Sequence, residues 1–209
     1  QILHASERAA ALTRQLLAFS RKQVLEERRI DLSVAIADLQ SLLRPLIPER
    51  ITFKVVPADD AVIVQVDPGQ LQQVVMNLVV NARDAMPDGG EIVISTSTGA
   101  GSAGDGFVRV RIRDSGEGIP PEVEARMFEP WFTTKLANGT GLGLSQVQRL
   151  MTQVDGRLSV ATGPTGTAID LHFPVVLETE GTDAEVRAAP LRRLASVPSG
   201  PGQQADALS

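Results

Sequence analysis

The first stretch of the chain carries apolar residues in a regular seam. The seam consists of Ile2, Ala5, Ala9, Leu12, Leu16 and Phe19, at alternating spacings of three and four. Charged residues fill the other positions. This spacing is typical of a helix that packs along a partner helix, although an ordinary amphipathic helix packed on the adjoining domain is the alternative. The pattern predicts one long helix over residues 1–29.

Helical periodicity returns twice further along the chain. Ser33 is placed to cap a helix whose apolar positions include Ile36, Leu39 and Leu43. Asp67, followed by a proline, is a good start for a second helix over 68–86, because it supplies a cap before a first-turn proline. The predicted buried stripe of this second helix is Leu71, Val75, Leu78, Ala82 and Ala85.

Alternating apolar and polar residues predict the strands, and glycine-rich turns separate them. A further helix is expected over about 142–154. The tail, 178–209, is rich in Ala, Pro, Gly, Ser and charged residues, and we expect it to be disordered. The class is therefore α+β, with a helix at 1–29, a domain at 30–177 and a tail at 178–209. The predicted strands are 51–56, 61–66, 91–96, 107–114, 156–162 and 166–176.

Composition narrows the function classes. The chain of 209 residues has no cysteine, which excludes disulfides and thiolate chemistry, and it has two histidines. Its net charge of −5 gives no basic footprint for nucleic acid, so we expect no nucleic-acid partner. No apolar run approaches the roughly 18–20 residues of a membrane span. Because the chain begins with Gln1, we expect a cytoplasmic fragment of a longer protein that makes no membrane contact itself.

Three polar residues interrupt the apolar run of the 68–86 helix. Asn77, Asn81 and Asp84 are spaced i, i+4 and i+7, so they share one face beside the buried stripe. Amide and carboxylate oxygens are ligands that Mg²⁺ accepts, together with waters and phosphates. The pattern indicates the edge of a site, and a solvated face with nothing bound is an equally weighted alternative.

A carboxylate ends one predicted strand. Asp114 falls in register with Val108, Val110 and Ile112, so it belongs to the buried side. An ionised carboxylate only accepts hydrogen bonds, so it would select an amino group such as that of adenine and repel the carbonyl of guanine. The alternative is an ordinary turn aspartate at the end of a strand. Glycines at 116 and 118 would let a ligand approach the backbone closely.

A glycine loop directly precedes the predicted 142–154 helix. Gly139, Gly141 and Gly143 stand at alternate positions, where backbone N–H groups and a helix N-terminus could converge on an anion. A flexible hinge is the alternative. Upstream, the chain offers an aromatic latch expected to pack in the core, followed by polar residues that could reach phosphates. The aromatic residues are Phe128, Trp131 and Phe132, and the polar residues are Thr133, Thr134 and Lys135.

Five ordered stretches together resemble the ATP-binding domain of sensor histidine kinases, within the GHKL superfamily. They are "NLVVNARDA", "DSGEG", "FEPWFTTK", "GTGLGLS" and "GTAIDLHFP". The resemblance implies a Bergerat-type two-layer α/β sandwich with a mixed, mainly antiparallel sheet, preceded by one long helix. ATP would lie between helices and sheet under a short lid, residues 130–141. The long helix itself resembles the second helix of a dimerisation and phosphotransfer hairpin.

The resemblance also implies roles for single residues. Asn81 would bind the metal, and Asn77, Asn81 and Lys135 would form the catalytic set, with Asp114 reading adenine. Gly166 would lie near the base. The residues implied to contact ATP or Mg²⁺ are Asn77, Asn81, Asp84, Asp114, Gly116, Gly118, Ile119, Phe128, Thr133, Thr134, Lys135, Gly139, Thr140, Gly141, Leu142, Gly143, Leu144 and Thr167.

Two departures from the family pattern bear on the activity. Asp84 stands where many members carry a phosphate-contacting lysine, a charge that Lys135 could replace. Asn77 stands where hydrolysing relatives carry a glutamate base, and an amide cannot take a proton from water. A kinase is therefore favoured over a GHKL ATPase, with a nucleotide-free interaction module ranked third.

The resemblance places the phosphoacceptor histidine on a first helix that this chain lacks. We therefore interpret His4 and His172 as surface residues. The implied partners are ATP, the receiver domain of a response regulator and a second copy of the parent protein.

Overall fold

A computed structural model describes residues 26–98, 106–135 and 140–176. A short strand leads into the first helix, and pairs of consecutive strands are then separated by helices. The elements in chain order are β1 (Arg28–Asp31), α1 (Leu32–Leu43), a 3-10 turn (Arg44–Leu46), β2 (Ile51–Val56), β3 (Ile63–Val66), α2 (Pro68–Asp84), β4 (Gly90–Thr98), β5 (Phe107–Asp114), α3 (Pro121–Glu124), α4 (Gly143–Gln153), β6 (Arg157–Gly163) and β7 (Gly166–Pro174).

The main sheet has five strands in the order β2-β4-β5-β7-β6. The pair β2–β4 is parallel, and the other three pairs are antiparallel. A second, two-stranded antiparallel sheet joins β1 to β3. The predicted α+β class with a mixed, mainly antiparallel sheet is confirmed.

The core lies between one face of the main sheet and the helices. Ile94 of β4, Ile112 of β5 and Ile169 of β7 stand side by side in the register and are buried. The helices contribute fully buried side chains such as Leu39 of α1 and Leu78 of α2. Each such side chain contributes about 1.5–3 kcal/mol relative to an exposed one. This two-layer core holds the end of β5 against α2.

The start of α1 differs from the prediction. Asp31, with extended backbone, caps the helix, and its Oδ1 accepts hydrogen bonds from the backbone N of Ser33 at 2.9 Å and of Val34 at 3.4 Å. Ser33 is instead buried, with its hydroxyl 3.0 Å from that of Thr96. The prediction missed this because β1 carries the extended chain as far as Asp31.

The prediction of a helix over 1–29 is wrong at its end. Arg28 and Arg29 belong to β1 and pair with Val66 and Gln65 of β3. Residues 1–25 lie outside the described residues, as do 177–209, so the division into three segments stays a prediction. Within the described ranges, no helix combines the length and apolarity needed to cross a bilayer.

Helix α2 starts as predicted and ends slightly earlier. The Asp67 carboxylate accepts from the backbone N of Gly69 at 2.8 Å and of Gln70 at 3.0 Å, and a proline occupies the first helical position. The helix ends at Asp84 rather than at residue 86, so Ala85 is its C-terminal cap and is only half-buried. The face with Asn77, Asn81 and Asp84 is thus presented by a well-anchored helix.

Candidate functional site

Asn77 ties α2 to the beginning of α4. Its Nδ2 donates to Gln146 Oε1 at 2.9 Å and to the Gly143 carbonyl at 3.5 Å, while its Oδ1 accepts from Gln73 Nε2 at 3.1 Å. Both ends of the amide are therefore engaged. Asn77 fixes the position of α4 relative to α2. No pattern in the sequence predicted the Gln146 contact.

Lys135 reaches the polar face of α2 from the predicted lid. Its Nζ donates to Asn81 Oδ1 at 3.0 Å and to Asp84 Oδ2 at 2.6 Å. Asn81 therefore presents its amide oxygen to a cation. The same oxygen chemistry suits Mg²⁺, which takes hard oxygen ligands. The structure thus brings together three of the predicted site residues, across 51 to 54 positions of sequence.

Arg83 adds a second positive charge to this cluster. Its Nε and Nη2 donate to Asp84 Oδ1 at 2.8 and 2.6 Å, and its Nη1 donates to the Leu46 carbonyl at 3.2 Å. The helical spacing alone places Arg83 off the polar face, so the sequence did not predict this contact. Asp84 is flanked by two cations as a result.

The pKa of Asp84 lies below its ordinary value. Partial burial acts to raise it, but the hydrogen bonds and charges of Lys135 and Arg83 together outweigh burial. Asp84 is therefore ionised near neutral pH. One carboxylate between two cations leaves net positive charge at this end of the site, which favours an anion.

Asp114 lies buried at the end of β5, as its register predicted, with 7% of its surface exposed. Its Oδ1 accepts from the backbone N of Gly116 at 2.9 Å and of Thr167 at 3.2 Å. Both hydrogen bonds described for Asp114 go to that one oxygen, so Oδ2 is the oxygen that can accept from a ligand. Burial raises the pKa of this carboxyl, against the smaller opposing effect of the two hydrogen bonds.

Glycines allow the backbone to close around Asp114. A side chain at Gly166, where φ is +130°, would place its Cβ 2.0 Å from the Asp114 carbonyl oxygen. A side chain at Gly116 would meet the Ala85 carbonyl oxygen at 2.7 Å. The end of β5 therefore lies directly against the end of α2, and no side chain larger than hydrogen fits between them.

A threonine pair extends this end of the site. Thr162 Oγ1 accepts from the backbone N of Ile119 at 2.7 Å and lies 3.1 Å from Thr167 Oγ1. Gly118 has a φ of +81°, and a Cβ there would lie 2.1 Å from the Gly163 carbonyl oxygen. The loop after Asp114 is thus held against the β6–β7 hairpin. Thr162 was not predicted as part of the site.

The base of the predicted lid is closed by a backbone contact. The N of Trp131 donates to the Gly141 carbonyl at 2.9 Å, and a Cβ at Gly141, φ +66°, would lie 2.3 Å from the Trp131 carbonyl carbon. The prediction that Trp131 packs in the core is wrong. Trp131 is 64% exposed, and it adopts a left-handed φ of +70°, which is uncommon for a bulky residue.

The other lid residues behave differently from one another. Phe128 and Phe132 are half-buried, and Phe132 lies under the guanidinium of Arg126. Thr133 and Thr134 are exposed, and Thr133 Oγ1 accepts from the backbone N of Lys135 at 3.1 Å. The glycine loop itself is described only in part, since Gly139 lies outside the described residues.

The start of α4 lies beside Asn77 of α2 and has no side-chain cap. A Cβ at Gly143 would approach Asn77 no closer than 3.6 Å. Thr140, Gly141, Leu142 and Leu144 are half-exposed, and Leu144 also packs on the core. The uncapped N–H groups of α4 are thus available to an anion.

Comparison with known proteins identifies the architecture. The family model described as histidine kinase-, DNA gyrase B-, and HSP90-like ATPase matches residues 66–177, more than half of the chain. The sensor kinase CckA of Brucella abortus (strain 2308) is 40% identical over 190 residues, which is 85% of this chain and 20% of CckA. The chain therefore spans about a fifth of that curated relative.

Two solved structures share the fold. ShkA, solved full-length in complex with AMPPNP, is similar at a TM-score of 0.62 and 26% identity, over 74% of this chain and 32% of ShkA. The histidine kinase ThkA, solved in complex with the response regulator protein TrrA, is similar at a TM-score of 0.63 and 25% identity. That similarity covers 84% of this chain and 49% of ThkA.

Proposed function

Because the chain belongs to the family of histidine kinase-, DNA gyrase B-, and HSP90-like ATPases, we propose that it is the ATP-binding catalytic domain of a sensor histidine kinase. It holds Mg-ATP and directs the γ-phosphate to a histidine imidazole on a helix of the parent protein outside this chain. The phosphoryl group then passes to an aspartate in the receiver domain of a response regulator, in keeping with the complex described for ThkA.

The proposal rests on the different chemistry of the two ends of the site, one of which is acidic and the other positively charged. A buried carboxylate, Asp114, offers an acceptor to the amino group of adenine. Lys135 and the uncapped start of α4 offer positive charge to phosphates at the other end. Phosphoryl transfer depends on positioning and charge neutralisation more than on covalent chemistry by the enzyme.

Magnesium fits the residues at the phosphate end. Asn81 already presents Oδ1 to the Lys135 ammonium, so this oxygen has the orientation that a metal ligand needs. Asp84 offers a second hard oxygen close by, and Mg²⁺ commonly binds through one or two protein groups plus phosphates. When bound, the ion neutralises charge on the transferring phosphate. Lys135 keeps positive charge near Asn81 in its absence.

The remaining predicted residues line the space between these ends. We propose that Ile119, Thr167 and the glycines at 116 and 118 surround the base, while Thr133, Thr134 and Thr140 approach the phosphates. Asn77 acts by positioning the start of α4 rather than as a base. Since an amide cannot activate water, transfer to an imidazole is favoured over steady hydrolysis.

The parent protein supplies the phosphoacceptor helix. We propose that the apolar seam from Ile2 to Phe19 pairs in a homodimer, that the catalytic domain runs from β1 to residue 177, and that 178–209 links it to a receiver domain. The domain acts in the cytoplasm, because ATP and receiver domains are found there. It needs neither nucleic acid nor membrane contact for this reaction.

The test is labelling with γ-³²P-ATP and Mg²⁺. The chain alone should gain no acid-labile label and release no phosphate steadily. Adding the phosphoacceptor hairpin of the parent as a separate protein should transfer label to that hairpin, and Asn81→Ala should abolish the transfer. Steady phosphate release by the chain alone would instead identify a hydrolase. Absence of ATP binding with Mg²⁺ present would refute the proposal altogether.

A further inference from the structure

The face of the main sheet that is turned away from the helices carries a row of basic residues. Arg109 of β5 pairs with His172 of β7, and His172 pairs with Arg157 of β6, so the three side chains stand side by side across three strands. Neighbouring strands lie about 4.8 Å apart, which separates the two arginines by roughly 10 Å. We call Arg109, His172 and Arg157 the basic row.

The basic row is not neutralised by the rest of the sheet. Asp170, the acid beside it on β7, is held by Arg111 through two hydrogen bonds of 2.7 Å. In the described part of the chain, neither Arg109 nor Arg157 forms a salt bridge, and Arg109 Nε is buried without a hydrogen-bond partner. Arg157 lies over the ring of Phe107, 4.2 Å from its centre. The row therefore presents two uncompensated cations.

The pKa of His172 depends on the charges around it in this row. His172 was expected to face solvent, and it does lie on the outer face but is half-buried. Burial lowers its pKa, and Arg109, Arg157 and Arg111 lower it further against the attraction of Asp170. Any carboxylate that binds between the two arginines will oppose this effect and raise the pKa of His172.

The chain itself contains a segment of matching charge. Four acids and no basic residue occur between 178 and 185, namely Glu178, Glu180, Asp183 and Glu185. This acidic segment begins two residues beyond Val176, the last described residue after β7. Eight extended residues span up to about 26 Å, so the segment is long enough to turn back and cover a row of roughly 10 Å.

We propose that the acidic segment 178–185 binds across the basic row on the outer face of the sheet. Carboxylates of the segment pair with Arg109 and Arg157, and they cover His172. This contact places the chain beyond residue 185 on the side of the sheet opposite to the helices and the nucleotide site. The residues after 185 then leave the nucleotide site open, and the acidic segment shields the basic row from other anions.

The test is an NMR pH titration of the His172 imidazole in the full chain. Neutralising the segment with E178Q, E180Q, D183N and E185Q should shift the pKa of His172 downwards. The control neutralises four exposed acids outside the strands, with D59N, D60N, D88N and E122Q, and changes net charge equally. The difference between the two variants should shrink in high salt and vanish in an R109Q/R157Q background. Equal pKa values in the two variants would overturn the proposal.

A spin label gives a second measurement. The chain has no cysteine, so T182C provides a single attachment site. The label should broaden resonances of His172 and Ser159, which lie on the outer face, while those of Asn81 stay sharp. Absence of broadening would contradict the proposal. Broadening that appears only when labelled and unlabelled chains are mixed at high concentration would also contradict it, because the contact would then join two copies.

Discussion

Replacing Asp114 with asparagine should separate ATP recognition from stability. The substitution keeps one oxygen that can accept from the backbone N of Gly116 and of Thr167, the two hydrogen bonds that hold the carboxylate. The second oxygen becomes an NH₂ group, which can donate but cannot accept. The side chain keeps its size in a site where only 7% of its surface is exposed.

The expected effect on affinity comes from one lost hydrogen bond to an ionised acceptor. Such a bond contributes about 1.5–3 kcal/mol, which corresponds to roughly a 10- to 150-fold rise in the Kd for ATP. Affinity for GTP should fall less or rise, because the new NH₂ group can donate to the guanine carbonyl. The ratio of the two Kd values therefore changes in a direction that a general weakening of the fold cannot produce.

The expected effect on stability has the opposite sign. Burial raises the pKa of Asp114 above its unfolded value, so the folded state binds this proton more tightly than the unfolded state does. The contribution of Asp114 to the free energy of unfolding therefore falls as the pH rises from its pKa in the unfolded state to its pKa in the folded state. Above the folded-state pKa this loss of stability is complete. A neutral amide removes that cost, so Tm at neutral pH should stay equal or rise.

Calorimetric titration with ATP and GTP, together with thermal unfolding, tests both expectations. Asp67→Asn is the control for loss of a buried carboxylate, since Asp67 is also buried and also accepts from backbone N–H groups, at 2.8 and 3.0 Å on Oδ1 and 3.1 Å on Oδ2. That control should leave ATP affinity unchanged. If Asp114→Asn binds ATP no more weakly than the control does, Asp114 does not contact the base. A large loss of Tm would instead show that the carboxylate is structural.

Three further outcomes are expected. Lys135→Met should raise the Kd for ATP roughly tenfold through loss of a charge-assisted contact, and calorimetry at increasing salt should show the difference shrinking; an unchanged Kd at low salt would place Lys135 away from the phosphates. Acidification should weaken ATP binding to the wild type, because protonation of Asp114 removes its acceptor. Since burial raises the pKa of Asp114, this weakening should begin at a higher pH than for an ordinary aspartate, and it should be absent from Asp114→Asn. Leu39→Ala, at a fully buried position of α1, should lower the free energy of unfolding in urea by about 2–5 kcal/mol; a loss below about 1 kcal/mol would contradict the described core.

Local sequence patterns predicted correctly those features that have a local structural cause. The start of α2 is explained by Asp67 and its proline, and the burial of Asp114 by its parity with Val110 and Ile112. Strand β1 could not be predicted in this way, because its four residues are extended through pairing with β3, more than thirty positions away. That pairing also moved the cap of α1 from Ser33 to Asp31.

Contacts across the site were less accessible to sequence reasoning. The face with Asn77, Asn81 and Asp84 was predicted from helical spacing, but the reach of Lys135 onto it depends on the path of the lid. Arg83 was missed because a long side chain can bend towards a neighbouring carboxylate against its helical direction. Trp131 was expected in the core, but it is exposed and has a left-handed backbone conformation that no sequence pattern predicted.

Titration of the chain with ATP, monitored by the fluorescence of its single tryptophan, tests the central claim most directly. Trp131 is exposed at the base of the lid, next to Gly141 and four positions before Lys135. We predict a saturable change that requires Mg²⁺, with Asn81→Ala losing the dependence on Mg²⁺. A signal that does not respond to nucleotide, or an Asn81→Ala variant whose ATP binding still depends on Mg²⁺ as strongly as in the wild type, would contradict a Mg-ATP site between Asn81 and Asp114.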